Sequence, residues 1–159
     1  MITLDLRALT DALTRLEAAA DSLPQLAEQV RQETLGHLIV GSEVNIYRTE
    51  PGRYRRTGDY RQGLDARARA TRHTATITAL NDVDYALVVE LGRGGMTIPM
   101  LQQLALLQTN PEDPLTLGRS GQNWMVAAPI VTAAQVFALR RMQELFCKKA
   151  RLAIRPSTY

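Results

Sequence analysis

The chain has 159 residues, 45% hydrophobic and 22% charged, with a formal net charge of +3. That is enough apolar material for one core and a single domain (1–159), too little charge for wholesale disorder, and too mild a balance to demand a polyanionic partner. A lone cysteine, Cys147, excludes an internal disulfide; the N-terminus lacks the basic-then-apolar order of a secretory signal, and no apolar run approaches the roughly 20 residues that cross a bilayer.

Residues 1–42 read as helix. Leu6, Leu9, Leu13, Leu16, Ala20, Leu23, Ala27 and Val30 recur at three-four spacing, which draws one apolar stripe along a helix. Ser22, Pro24 and Gln25 interrupt the stripe with a helix-start signal. Two helices are expected, Leu4–Ala20 and Leu23–Ile39, or one helix kinked at Pro24. From Arg48 to Arg72, eight arginines outnumber Glu50, Asp59 and Asp65, with Tyr47, Tyr54 and Tyr60 among them. Arginine forks with interleaved aromatics can grip phosphate and stack on bases, or can pair with acids of a neighbouring subunit.

Two runs of period-two alternation follow. Leu64, Ala66, Ala68 and Ala70 alternate with Asp65, Arg67 and Arg69; Ala75, Ile77 and Ala79 alternate with threonines. This is the pattern of half-buried strands, and Thr71–His73 is short enough for a hairpin loop. After the turn residues Asn81 and Asp82, Tyr85–Leu91 reads as a third strand or a short buried helical turn, ended by Gly92, Gly94 and Gly95. Glu90 lies inside this apolar run, where a carboxylate needs a partner. The expected partner is an arginine from Arg53–Arg61, within the fold or across subunits.

Met96–Asn123 reads as a long loop before the last helix, with a short helix over Leu101–Leu107. A loop of that length in a compact domain is usually functional or disordered; here its leucines would gain from burial against a partner, which favours an assembly loop. Residues 124–152 carry the last helix: Pro129 suits its first turn, Ile130, Ala134, Phe137, Ala138, Met142 and Leu145 mark its stripe, and Lys148, Lys149 and Arg151 complement its C-terminal dipole. The fold class is therefore α+β, a small antiparallel sheet from about Leu64 to Leu91 packed against N-terminal and C-terminal helices.

Three segments carry a resemblance. Arg56-Thr57-Gly58-Asp59-Tyr60-Arg61, Tyr85-Ala86-x-x-Val89-Glu90-x-Gly92 and Trp124-Met125-Val126-Ala127-Ala128-Pro129-Ile130 occur in that order. Together they resemble the opening, central and closing motifs of the head–tail joining (neck or tail-completion) proteins of long-tailed bacteriophages. Gly63-Leu64 departs from that family's Ser-Ile, Trp-Met replaces its Pro-Phe, and an extra segment of about 25 residues separates the second and third motifs. The resemblance implies a non-enzymatic virion protein at the head–tail junction or the top of the tail. It also implies a homomeric ring, six subunits being the expected number, that contacts adjacent connector and tail proteins while DNA passes through without sequence-specific contact. No cofactor or membrane is implied. The candidate subunit or partner contacts are Arg53, Tyr54, Arg55, Arg56, Asp59, Arg61 and Glu90, with Leu104, Leu107, Leu115 and Leu117 of the loop.

Two other readings stand beside it. A small nucleic-acid-binding protein would use the Arg/Tyr-rich segment 47–72. A hydrolase would use Glu90, but no second catalytic group, phosphate loop or Cys/His metal set accompanies it, so no enzyme is expected.

Overall fold

The computed structural model describes residues 7–50, 56–118 and 125–154. Helix α1 (Arg7–Asp21) and helix α2 (Leu23–Ser42) meet at Ser22. Proline in the first turn of α2 stops the two from merging, because its ring cannot sit inside a continuing helix. Ser22 does not cap α2 with its side chain as the sequence suggests. Its hydroxyl instead donates back to the Ala19 carbonyl at 2.6 Å, closing the end of α1.

Helix α2 runs further than expected, through Ser42 into a π-helical turn over Glu43–Tyr47. Asn45 sits buried in that turn, and its amide donates to the carbonyls of Gly41 (3.1 Å) and Leu115 (3.0 Å). The wide turn thus anchors the segment before the last helix to α2. A single helical turn, α3 (Asp59–Gln62), then leads into the sheet.

The two alternating runs form an antiparallel hairpin, β1 (Leu64–Ala70) and β2 (Ala75–Asn81). The register sets Ala66 opposite Ala79 and Ala68 opposite Ile77, so the small apolar residues share one face. Tyr85–Leu91 is not a third strand: residues Ala86–Leu91 form helix α4, and the sheet ends at Asn81. The Asn81 side chain explains the turn away. Its amide donates to the Tyr60 carbonyl at 2.8 Å, and its oxygen accepts the Val83 N–H at 3.1 Å, an Asx turn that redirects the chain.

Helix α5 (Ile98–Leu107) occupies part of the expected long loop, and α6 (Ile130–Ile154) is the longest helix of the described residues. The last helix starts at Ile130 rather than at residue 124, with Pro129 just before it. Helices α2 and α6 cover the apolar face of the hairpin, while α1 and α5 pack along α6. Leu38, Tyr60, Leu64, Val89 and Ile130 meet in the core. Arg141 of α6 reaches Glu33 of α2 at 2.7 Å, a partly exposed pair that fixes the helix register more than it stabilises.

The hairpin edges are only partly occupied. On β1, the Ala66 N–H bonds the Asp65 carboxylate at 2.8 Å and its carbonyl accepts from Arg31 at 3.4 Å; on β2, the Ala79 carbonyl accepts from Gln135 at 3.4 Å. The register turns the backbone groups of Ala68 and Ile77 to the same outer sides. No hydrogen bond from the described residues reaches them there.

His37 lies buried between α2 and α6, its ring stacked on Phe137 with centroids 4.6 Å apart. Neither ring nitrogen has a hydrogen-bond partner among the described residues. Burial pushes its pKa below the ordinary 6.5, and the nearby backbone of Asp113 and Pro111 draws it part of the way back. A histidine depressed in the folded state binds its proton in the unfolded chain first. Stability is therefore full above pH 6.5 and falls as the pH drops through that value toward the lower folded one. Urea unfolding between pH 8 and pH 5 should show this loss, and His37→Phe should flatten it. In the same assay Leu38→Ala, at a fully buried position, should lose about 3 kcal/mol. Leu13→Ala should lose less than about 0.5 kcal/mol, because Leu13 belongs to the expected stripe but stands exposed.

Candidate functional site

The three motif segments, distant in sequence, meet at one joint. Its centre is Glu90, on the last turn of α4 and only 4% exposed. The carboxylate accepts the backbone N–H groups of Ile130 (3.0 Å), Val131 (3.0 Å) and Thr132 (2.7 Å). These are among the first N–H groups of α6, which have no partner inside their own helix. Glu90 therefore caps α6 from another element, and among the described residues no arginine pairs with it. Both oxygens accept, and the positive end of the helix dipole favours the negative charge. Burial pushes the carboxyl pKa above the ordinary range, while the hydroxyl of Thr132 and the three N–H donors pull it down.

The sequence held a signal for this arrangement. Ala127, Ala128 and Pro129 precede α6, and none offers a capping side chain. A buried helix start without its own cap must take one from elsewhere.

The backbone reinforces the joint. The Ala128 N–H donates to the Val89 carbonyl at 3.0 Å, so the closing motif lies along the end of α4. Gly92 makes this approach possible. Its φ of 63° lies in the left-handed region, and a Cβ there would stand 2.7 Å from the Ala127 nitrogen and 2.8 Å from the Met125 oxygen. The opening motif joins through tyrosines. Tyr60 is buried, and its ring lies 6.3 Å from that of Tyr85. Gly58, at φ 90°, starts the α3 turn that places Tyr60, and its carbonyl receives the N–H groups of Arg61 and Gln62.

The candidate contact residues separate into groups. Arg53, Tyr54 and Arg55 lie outside the described residues. Arg56 donates to the Tyr47 carbonyl (2.9 Å), the Thr49 hydroxyl (2.9 Å) and the Glu50 carbonyl (2.8 Å), which binds the opening motif to the end of the π turn. Arg61 pairs with Glu43 at 2.9 Å and lies over the Tyr47 ring. Asp59 is exposed and accepts the Thr57 hydroxyl. Glu90 is separate from this basic group. Leu104 and Leu107 are exposed on α5, whereas Leu115 and Leu117 are half-buried and so less open to a partner than expected.

Both carboxylate oxygens of Glu90 are committed to backbone donors. Among the described residues, no group of three or more His, Cys, Asp and Glu side chains could hold a metal ion, and no helix is long and apolar enough to cross a membrane. The chain matches no family model, no curated protein and no solved structure.

Replacing Glu90 separates a cap from a mere filler. Glu90→Ala should cost about 3 kcal/mol in urea unfolding, because it leaves buried N–H groups without an acceptor. Glu90→Gln keeps one acceptor oxygen and should cost about 1–2 kcal/mol. Gly92→Ala should be at least as damaging as Glu90→Ala. Gly95→Ala, also at positive φ but with open space around it, should lose only about 1 kcal/mol.

Proposed function

We propose that this chain is a structural subunit of a tailed-bacteriophage virion. It acts in the head–tail connector, as a neck, tail-completion or tail-terminator component of a homomeric ring around the DNA channel. It is not an enzyme. One observation carries the reading: the three segments that resemble the connector motifs converge on a single joint. Several motif residues have a mechanical task there. Gly58 and Tyr60 shape the opening turn, Glu90 and Gly92 hold α6, and Ala128 lies against α4. The resemblance thus covers a coherent structural unit instead of three scattered strings. Open backbone groups at Ala68 and Ile77 also suit a subunit whose sheet is completed by a neighbour.

The mechanism is geometric. A rigid joint fixes α6 and the hairpin, and the surfaces around them dock onto neighbouring rings, so that head and tail are held coaxially. The nucleic-acid-binding alternative draws less support, because the described arginines of the basic segment are mostly engaged. Arg56 holds backbone carbonyls, Arg61 pairs with Glu43, Arg67 with Asp65 and Arg72 with Asp21.

Lysates of the encoding phage made without this chain should accumulate DNA-filled heads and free tails that join when purified protein is added. Virions that join without it overturn the connector role. Binding of duplex DNA whose log affinity falls steeply with log salt would favour the alternative.

A further inference from the structure

After α5 the chain passes over α2 and forms neither helix nor strand across residues 108–118. Among the described residues, this segment makes one backbone-to-backbone hydrogen bond, from the Asp113 N–H to the Asn110 carbonyl, and none to another element. Side chains hold it in place. Arg140 of α6 donates to the carbonyls of Leu106 and Gln108 at its start. The Gln108 amide donates to the Asp113 carbonyl at 2.8 Å, which draws the segment into a compact strap. Asn45 of the π turn holds the Leu115 carbonyl at 3.0 Å at its far end. Between these anchors the strap covers one side of α2, with the backbone of Pro111 and Asp113 beside His37 and the Pro114 ring beside Gly41.

His37 is the weak point beneath the strap. Its ring is 8% exposed and stacks on Phe137, and neither nitrogen has a hydrogen-bond partner among the described residues. A charged imidazole donates from both nitrogens and calls for two acceptors. The charged side chains on the surrounding elements are used elsewhere or turned to solvent. Glu33, one turn earlier on α2, is taken by Arg141 of α6 at 2.7 Å, and Arg140 is turned to the end of α5. On the strap, the Asp113 carboxylate accepts the Asn110 amide at 2.8 Å and Glu112 is exposed. No carboxylate therefore hydrogen-bonds the ring, and a proton added there stands in an apolar site without a counter-charge. Two movements would bring water to it. Parting α2 from α6 breaks the core; lifting the strap breaks the Asn45–Leu115 bond and leaves the two helices packed.

We infer that residues 108–115 form an acid-released strap, which lifts from α2 when His37 takes up a proton from solvent and so uncovers His37 and Asn45 while the rest of the fold stays in place. Burial sets the direction. With the strap down, the ring holds a proton less tightly than an ordinary histidine; with the strap lifted it is hydrated and returns toward 6.5. The closed strap is therefore favoured above pH 6.5. Below that, each pH unit raises the ratio of lifted to closed strap about tenfold, until the lower value of the closed form is reached.

Locking the strap and following the proton tests this. A Cβ on Gly41 would lie 3.9 Å from the Pro114 Cβ, within the roughly 3.5–4.5 Å that a disulfide spans. Gly41→Cys with Pro114→Cys, in a Cys147→Ser chain, is stapled by oxidation and freed by dithiothreitol. The chain has two histidines, His37 and His73, so NMR titration of isotope-labelled imidazoles follows His37 directly, its signal assigned by its loss in His37→Phe. In the wild-type and the reduced chain the His37 midpoint should lie below 6.5. Oxidation should lower it by at least about one further unit, about a tenfold weaker hold on the proton, because a proton that favours lifting is disfavoured to the same extent by a strap held down. Dithiothreitol should restore the midpoint, and His73 should not respond. A His37 midpoint that ignores the staple overturns the inference. So does a wild-type ring that titrates at or above 6.5, or one that stays neutral until the whole chain unfolds. If the cysteine pair fails to fold or to cross-link, Asn45→Ala is read in its place. Freeing the Leu115 carbonyl should raise the His37 midpoint toward 6.5, and an unchanged midpoint sinks the strap.

Discussion

Glu90 holds three backbone N–H groups of a helix that begins 40 residues later in the chain. The remainder of the architecture depends on that contact. Without it α6 would start inside the protein with bare donors, a cost no buried helix sustains. With it, the start of α6 is fixed against α4, and α6 can lie beside α2 over the hairpin. The carboxylate is costly to bury and is held because its acceptors meet matching donors. An acid in an apolar run is then a structural demand of the helix opposite it.

The core around this joint sets alanines among larger side chains, and the alanines allow its close approaches. A Cβ on Gly41 would meet Ile130 at 3.4 Å, an ordinary van der Waals contact, so α2 and the start of α6 lie close together there. Ala66 and Ala79 let the hairpin lie flat against the helices. The outward face of the hairpin carries arginines and threonines, with the Arg67–Asp65 pair solvent-exposed. Fold maintenance and outward contact are thus divided. Glu90, Tyr60, Val89 and Ala128 of the motifs are turned inward, while exposed apolar side chains lie on α4 and α5.

Much of this was legible before any coordinates. Alternation at Leu64–Ala70 and Ala75–Leu80 specified the hairpin, because a one-residue slip would turn every alanine to solvent. Pro24 specified the break between α1 and α2, and the Ile130–Leu145 stripe specified the last helix. The partner of Glu90 was not legible in the same way. Sequence rules seek a charged side chain for a buried acid, and here the donors are backbone groups that every residue carries. Only the missing cap before Ile130 hinted at them. The π turn had no compositional mark either, since Glu43–Tyr47 continues an ordinary helical pattern. The reading of Tyr85–Leu91 stood between strand and helix because a short apolar run satisfies both periods. Tertiary contact with the start of α6 decides it for helix.

Gly92 and Met125 lie against each other, so the chain between them leaves the joint and returns to the same place. Closing a ring of chain costs entropy that grows only with the logarithm of its length, about 0.6 kcal/mol for each doubling. Apart from the Leu115 carbonyl held by Asn45, the excursion beyond α5 can therefore lengthen at little cost while the joint that closes it stays intact. A protein organised this way separates two histories: its frame, the buried Leu101 and Ala105 and the Asn45–Leu115 hydrogen bond included, tolerates little change, while added length between those anchors costs little.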